Sequence, residues 1–181
     1  NATDACCNFF GSEVDDVAYL TAVVEYANSV HPVDPSRVYL AGHSNGGFMS
    51  YRLACERPDL FAAIVSLAGA MVNDESTCTP DEPVSVVQVH GTLDDVIRYD
   101  GGDILGNAYP SAADTTGDWA SLNGCQPSIE PGLALDLETD LTGDETTVAE
   151  YTDCPDGVGV ELWTIPGGSH LPKLGPGFAA A

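Results

Sequence analysis

The sequence predicts an α/β fold: a mainly parallel sheet with helices on both faces. Three observations carry that prediction. Apolar, β-branched runs alternate along the chain with stretches of helical periodicity. The runs are separated by helices or long crossovers, the connections that parallel pairing needs. With 181 residues the chain is long enough for one domain with a sizeable core and too short for two ordinary catalytic domains, so residues 1–181 are read as a single domain.

Residues 13–30 place Val14, Val17, Ala18, Leu20, Val24 and Ala27 at close to helical spacing with an acidic opposite face, and Ser12 is the expected cap. Pro32 and Pro35 stop that helix. Residues 37–41 then read as a short buried strand, and a second helix is expected over 45–56. Beyond Pro58, strands are expected over 62–68, ending at Gly69, and over 84–89, ending at His90-Gly91. Residues 99–156 are rich in Gly, Asp, Thr and Pro and read as a loop-rich insertion, with a helical pattern only around 112–122 and a strand at 146–151. The last strand spans 160–165 and leads into Pro166-Gly167-Gly168-Ser169-His170. No internal repeat is found.

Charge narrows the function. Against 28 acidic residues stand 5 basic ones, a formal net charge of −23, which argues against nucleic acid as a partner. A salty habitat and an ordinary acidic secreted protein explain that balance equally well. The acidic stretch 136–150 lacks the Asp-x-Asp-x-Asp-Gly order of a calcium loop, so no metal site is expected. No apolar stretch approaches the roughly 20 residues that span a bilayer. The first residues have neither a basic start nor an apolar run, so no signal peptide is visible in this sequence.

The six cysteines, Cys6, Cys7, Cys55, Cys78, Cys125 and Cys154, contain no Cys-x-x-Cys pair. Disulfides are therefore expected rather than zinc, and with them an oxidising, extracellular compartment. Cys125 and Cys154 bracket the loop-rich stretch and are expected to pair, leaving the other four to pair among themselves. Cys55, inside a helical pattern, has a buried free thiol as its alternative.

Gly42-His43-Ser44-Asn45-Gly46 matches Gly-x-Ser-x-Gly between an expected strand and an expected helix. A turn that sharp needs small residues on either side of the serine and projects the Ser44 hydroxyl above the strand ends. The helix that follows adds its dipole and the Asn45 backbone N–H as an oxyanion donor. A glycine-rich turn whose serine merely caps a helix is the plainer reading. A serine hydroxyl needs a base and a group to orient that base. His31 lies at a helix end before proline, His43 is too constrained to reach round to Ser44, and His90 reads as a structural hydrogen bonder. His170, on its Gly-Gly-Ser loop, is the expected base. Asp94 and Asp95 both follow the strand ending at His90, and either could face the histidine. The chain order Ser, Asp, His is that of α/β-hydrolases.

These residues resemble the α/β-hydrolase family that includes extracellular polyhydroxybutyrate depolymerases and feruloyl and acetylxylan esterases. The resemblance is carried by Asp15-Asp16-Val17, by 33–39, by the elbow and its continuation to Cys55, by Ala68-Gly69, by His90-Gly91-Thr92-Leu93-Asp94, by Asn123-Gly124-Cys125 and Glu161-Leu162-Trp163, and by Gly167-Gly168-Ser169-His170. It implies an α/β-hydrolase fold and a cofactor-free serine esterase with Ser44, Asp94 and His170 as its triad, Asp94 being preferred to Asp95. It also implies small-molecule or polymeric ester substrates and no metal, and leaves the oligomeric state open. Two departures are expected to matter. The strands and His-Gly loop that precede this point in the family, with their second oxyanion donor, are absent, and the last helix stops at its first turn. A shortened hydrolase or fragment is the expectation, with a hydrolase-like binding module lacking a complete oxyanion hole as the alternative.

Overall fold

The computed structural model describes residues 2–7, 11 and 13–179. A six-stranded sheet has the order β1-β2-β3-β8-β7-β6, with a separate two-stranded ribbon of β4 and β5. The strands are β1 (Tyr39–His43), β2 (Ala63–Leu67), β3 (Ser85–Gly91), β4 (Gly102–Ile104), β5 (Asn107–Tyr109), β6 (Ile129–Pro131), β7 (Thr147–Tyr151) and β8 (Val160–Ile165). The first three and β8 run parallel in register, Gly42 beside Ser66 and Gly91 beside Ile165, whereas β7 and β6 join antiparallel. The mainly parallel expectation holds, and the strand read over 146–151 is present with its direction reversed.

Three α-helices are formed among the described residues: α1 (Asp16–Val30), α2 (Asn45–Glu56) and α3 (Ala112–Leu122). Asp15 caps α1, its carboxylate accepting from the Ala18 amide at 2.9 Å, so the helix begins three residues later than its periodicity suggested. The Ser12 cap expected from sequence lies outside the described residues. Helices were expected on both faces, but these three gather on one. There Tyr51 and Ala54 of α2 and Trp119 and Ala120 of α3 pack with Ile64, Val86 and Val160, and α1 leans on α2 through Val17, against Phe48 and Leu53. Trp119 is fully buried and donates its indole N–H to the Val84 carbonyl at 2.8 Å, while Asn123 exchanges two hydrogen bonds with the backbone of Val84. These bonds tie the end of α3 to the entry of β3. The opposite face carries Val89, Trp163 and Ile165 beneath Leu135, Leu137, Leu174 and Phe178.

The β4–β5 ribbon was not legible in the sequence. It turns through Leu105 and Gly106, both at positive φ (53° and 92°), with a leucine where such turns favour Asn or Asp. The Asp103 carboxylate helps by accepting from the Gly106 amide at 2.8 Å. The cysteines pair as Cys6–Cys7, Cys55–Cys78 and Cys125–Cys154. Cys55 is therefore not a free thiol, and the expected bridge across the loop-rich stretch is formed.

Candidate active site

The carboxyl ends of β1, β3 and β8 deliver the three expected site residues. Parallel pairing puts these ends on one side of the sheet, where ligands bind in open α/β sheets. Ser44 follows β1 directly, at φ 54° and ψ −119°, a backbone state that costs a non-glycine residue about 1–3 kcal/mol. The bonds around it hold that state: its N–H donates to the Leu67 carbonyl at 2.8 Å, and its carbonyl accepts from the Gly47 amide at 2.8 Å and the Phe48 amide at 3.1 Å.

Glycine is required around this turn at positions only partly those expected. A Cβ at Gly42 would run into the backbone of Gly46, whereas one at Gly46 would meet nothing within 4 Å. The second crowded position is Gly47, whose Cβ would stand 2.7 Å from the Ser66 hydroxyl and 3.0 Å from the Gly69 Cα. Small residues on either side of the serine thus reduce to Gly42 before it and the Gly47–Gly69 contact, which lets α2 start flush against the end of β2.

The acid and histidine loops are joined as one unit. Leu93 N–H donates to the Gly168 carbonyl at 2.9 Å and Thr92 N–H to the Ile165 carbonyl at 3.0 Å. The Thr92 hydroxyl accepts from the Gly167 amide at 2.9 Å. Gly91 lies so close to the Gly168 carbonyl that it has no room for a Cβ. On this frame His170 donates through Nδ1 to Asp94 Oδ2 at 2.8 Å, leaving its Nε2 as a lone-pair base. The other carboxylate oxygen accepts from the amides of Val96 at 2.9 Å and Ile97 at 2.8 Å. Asp94 is 5% exposed, while Asp95 lies in solvent. Burial alone would raise the Asp94 pKa, but donors on both oxygens, His90 and His170 first and then the two amides, outweigh it and hold the pKa at about 2.

His43 is engaged by the histidine loop. Its Nε2–H donates to the His170 carbonyl at 2.7 Å and its ring lies 4.7 Å from the His170 ring, so the elbow strand steadies the histidine loop. His90 is buried beside Asp94, and His31 is exposed.

Residues 11–102, from ahead of α1 to the end of the acid loop, match the prolyl oligopeptidase family. The chain belongs to that family. Within this broad kinship the chain is 32% identical over 173 residues to feruloyl esterase B of Piromyces equi, covering 91% of this chain and 30% of that protein. It is 35% identical over 134 residues to feruloyl esterase C of Emericella nidulans, covering 71% of this chain and 45% of that protein. The chain thus spans less than half the length of these relatives. Among solved structures, acetyl xylan esterase from Aspergillus awamori superposes with a TM-score of 0.58 at 17% identity, over 86% of this chain and 62% of that one. That likeness gives the fold, an α/β-hydrolase sheet, and the resemblance to feruloyl and acetylxylan esterases seen in the sequence holds.

Two residues at the site were missed by sequence reasoning. Gln88 and Tyr51 are buried and hydrogen-bonded to each other at 3.0 Å, and Gln88 bonds onward to His90. The available signal was a lone glutamine inside the apolar run 84–89, which a buried strand tolerates only with partners. Among the described residues no group of three or more His, Cys, Asp or Glu side chains converges in a way that could hold a metal ion.

Proposed function

We propose that this chain is the catalytic part of a secreted carboxylic ester hydrolase working through an acyl-enzyme, with Ser44 as nucleophile, His170 as base and Asp94 as the acid that orients it. The single observation that carries this reading is the 2.8 Å bond from His170 to a buried Asp94, on a loop steadied by the residue next to a backbone-strained serine. His170 Nε2 takes the Ser44 proton as the hydroxyl attacks the ester carbonyl. The Asn45 N–H, one of the first-turn amides that an α-helix leaves without an internal partner, faces the developing oxyanion. Collapse expels the alcohol, which carries off the proton from His170. Water then repeats both steps and releases the acid. Asp94, ionised at every working pH, fixes the His170 tautomer and stabilises the imidazolium formed in each half-reaction.

The substrate class is a short-chain acyl ester. The relatives' names favour feruloyl or acetyl esters of polysaccharide over polyhydroxyalkanoate. Three disulfides support an extracellular location, and no described helix is long and apolar enough to cross a membrane. A fluorophosphonate probe with mass spectrometry tests the nucleophile, alongside hydrolysis of p-nitrophenyl acetate, ethyl ferulate and a prolyl peptide nitroanilide. The expected result is label on Ser44, turnover of esters ahead of the anilide, and a loss of roughly 10⁴-fold or more in Ser44→Ala. Folded protein that takes no label would instead make the chain a binding module built on a hydrolase frame.

A further inference from the structure

A line of buried polar groups runs from α2 to the acid loop. Tyr51, 1% exposed, donates its phenol O–H to Gln88 Oε1 at 3.0 Å. Burial pushes that phenol far above its ordinary pKa, so it remains a donor. Gln88, 0% exposed, donates from Nε2 to the Gly69 carbonyl at 2.8 Å and to His90 Nδ1 at 3.2 Å. His90, 1% exposed, donates from Nε2 to the Ile97 carbonyl at 2.8 Å and stands 3.4 Å from Asp94 Oδ2.

These partners fix every proton. The Gly69 carbonyl can only accept, so the Gln88 nitrogen must face it and the Gln88 oxygen must face Tyr51. Both amide hydrogens are then committed, and His90 Nδ1 can only accept. The Ile97 carbonyl also can only accept, so His90 carries its proton on Nε2, the atom beside Asp94. Asp94 Oδ2 therefore accepts from His170 Nδ1–H at 2.8 Å and has beside it, at 3.4 Å, the His90 Nε2 whose proton goes to the Ile97 carbonyl. Both bonds of the Ile97 unit, its amide to Asp94 Oδ1 and its carbonyl to His90, brace the same loop.

We infer that His90, held as its Nε2–H tautomer by Gln88 and Tyr51, is a positioning residue that aims the Asp94 carboxylate at His170. It touches no reacting atom and acts through Asp94. The consequence for catalysis rests on the esterase reading, but the hydrogen-bond arrangement is measurable without it. The titratable groups around the unit are Asp94 and His170 on the acid side, Tyr99, whose ring meets the His90 ring edge-on at 5.7 Å, and Tyr51 beyond Gln88.

The experiment uses the whole chain, labelled with ¹⁵N-histidine and ¹³C-aspartate, in wild-type, His90→Gln, His90→Leu and Gln88→Leu forms, with kcat and KM measured on p-nitrophenyl acetate. Gln places an N–H donor where His90 Nε2 stands and Leu places none. The expected wild-type spectrum shows His90 protonated on Nε2 and His170 on Nδ1. In His90→Leu the Asp94 carboxyl titrates at higher pH than in wild type, and kcat falls about 10- to 100-fold, the usual loss when the partner that orients a functional side chain is removed, while KM holds. His90→Gln restores both within about fivefold. Gln88→Leu leaves His90 Nδ1 without its donor while the Ile97 carbonyl still holds the Nε2 proton, so the ring is steadied from one side only; the Asp94 titration and kcat should move part of the way towards His90→Leu, which decides the matter if His90→Leu does not fold. An Asp94 titration and kcat unchanged in His90→Leu, a His90→Gln as impaired as His90→Leu, or a Gln88→Leu indistinguishable from wild type in both readouts would each overturn the inference. Wild-type protein that hydrolyses no ester but gives these NMR results refutes the esterase reading and leaves the positioning role standing.

Discussion

Replacing Asp94 by Asn keeps the side chain's shape and removes the charge that two imidazoles and two amides converge on. We expect Asp94→Asn to lower kcat/KM roughly 10⁴-fold, because the amide imposes the wrong tautomer on His170. Asp95→Asn, in solvent one residue away, should stay within about threefold, as surface substitutions do. Steady-state kinetics on one acetyl ester settles the pair, and a larger loss at Asp95 reverses the assignment. The lowered Asp94 carboxyl also makes a stability statement. Its contribution is fully present above the ordinary carboxylate value near 3.8, roughly 2 kcal/mol at neutral pH, and is lost as pH falls through about 2. The stability gap between wild type and Asp94→Asn, read by urea unfolding, should therefore close from pH 5 to pH 2. The meeting of Asp94 with His170 was legible because the chemistry sought there fixes both residue types and their place at loop tips. Gln88 and Tyr51 were not, because what identifies them is each other, across 37 positions of chain, and no local pattern records a pairing of that range.

At the level of elements, the junction of the acid and histidine loops invites a substitution. Gly91→Ala would drive a methyl group into the Gly168 carbonyl and force the two loops apart. The expected cost is about 1–3 kcal/mol of stability and a larger proportional loss of activity, since the same shift separates Asp94 from His170. Gly46→Ala is the control. Its methyl would enter open space at a helical position, so stability should hold or rise by up to about 1 kcal/mol. Chemical denaturation of both variants checks this, and equal destabilisation would refute the contact argument. The long, strongly patterned elements were readable: α2 and α3 match residue for residue, and the four parallel strands fall within two residues at either end. The three-residue strands were not. β4, β5 and β6 are short and largely exposed, and their Gly, Asp and Pro content carries no period-2 signal. The gathering of the helices on one face was also hidden, because periodicity tells which side of a helix is buried but not which side of the sheet receives it.

Across the whole molecule the dominant feature is charge. Four of the five cations are already engaged in surface pairs, Arg37 with Asp34, Arg52 with Glu56, Arg57 with Asp59 and Lys173 with Asp140, each worth about 0–1 kcal/mol. The other acidic groups far outnumber the cations that could neutralise them. Asp118 shows the effect: burial, then the charges of Glu75 and Asp114, raise its pKa. Salt at about 1 M shortens the Debye length to roughly 3 Å and relieves that repulsion in the compact state more than in the unfolded chain. The melting temperature should accordingly climb by several degrees between 0.05 and 2 M NaCl, with sulfate at matched ionic strength separating screening from solute exclusion. A flat or falling curve refutes the charge argument. The same field bears on the proposed reaction. Under the esterase proposal, hydrolysis would turn a neutral substrate into a carboxylate beside the exposed Asp95, on a chain of net charge −23. A neutral ester would enter without electrostatic penalty and an anionic acid would leave down a potential gradient, so on that reading the acidic surface would also sweep product from the mouth of the site.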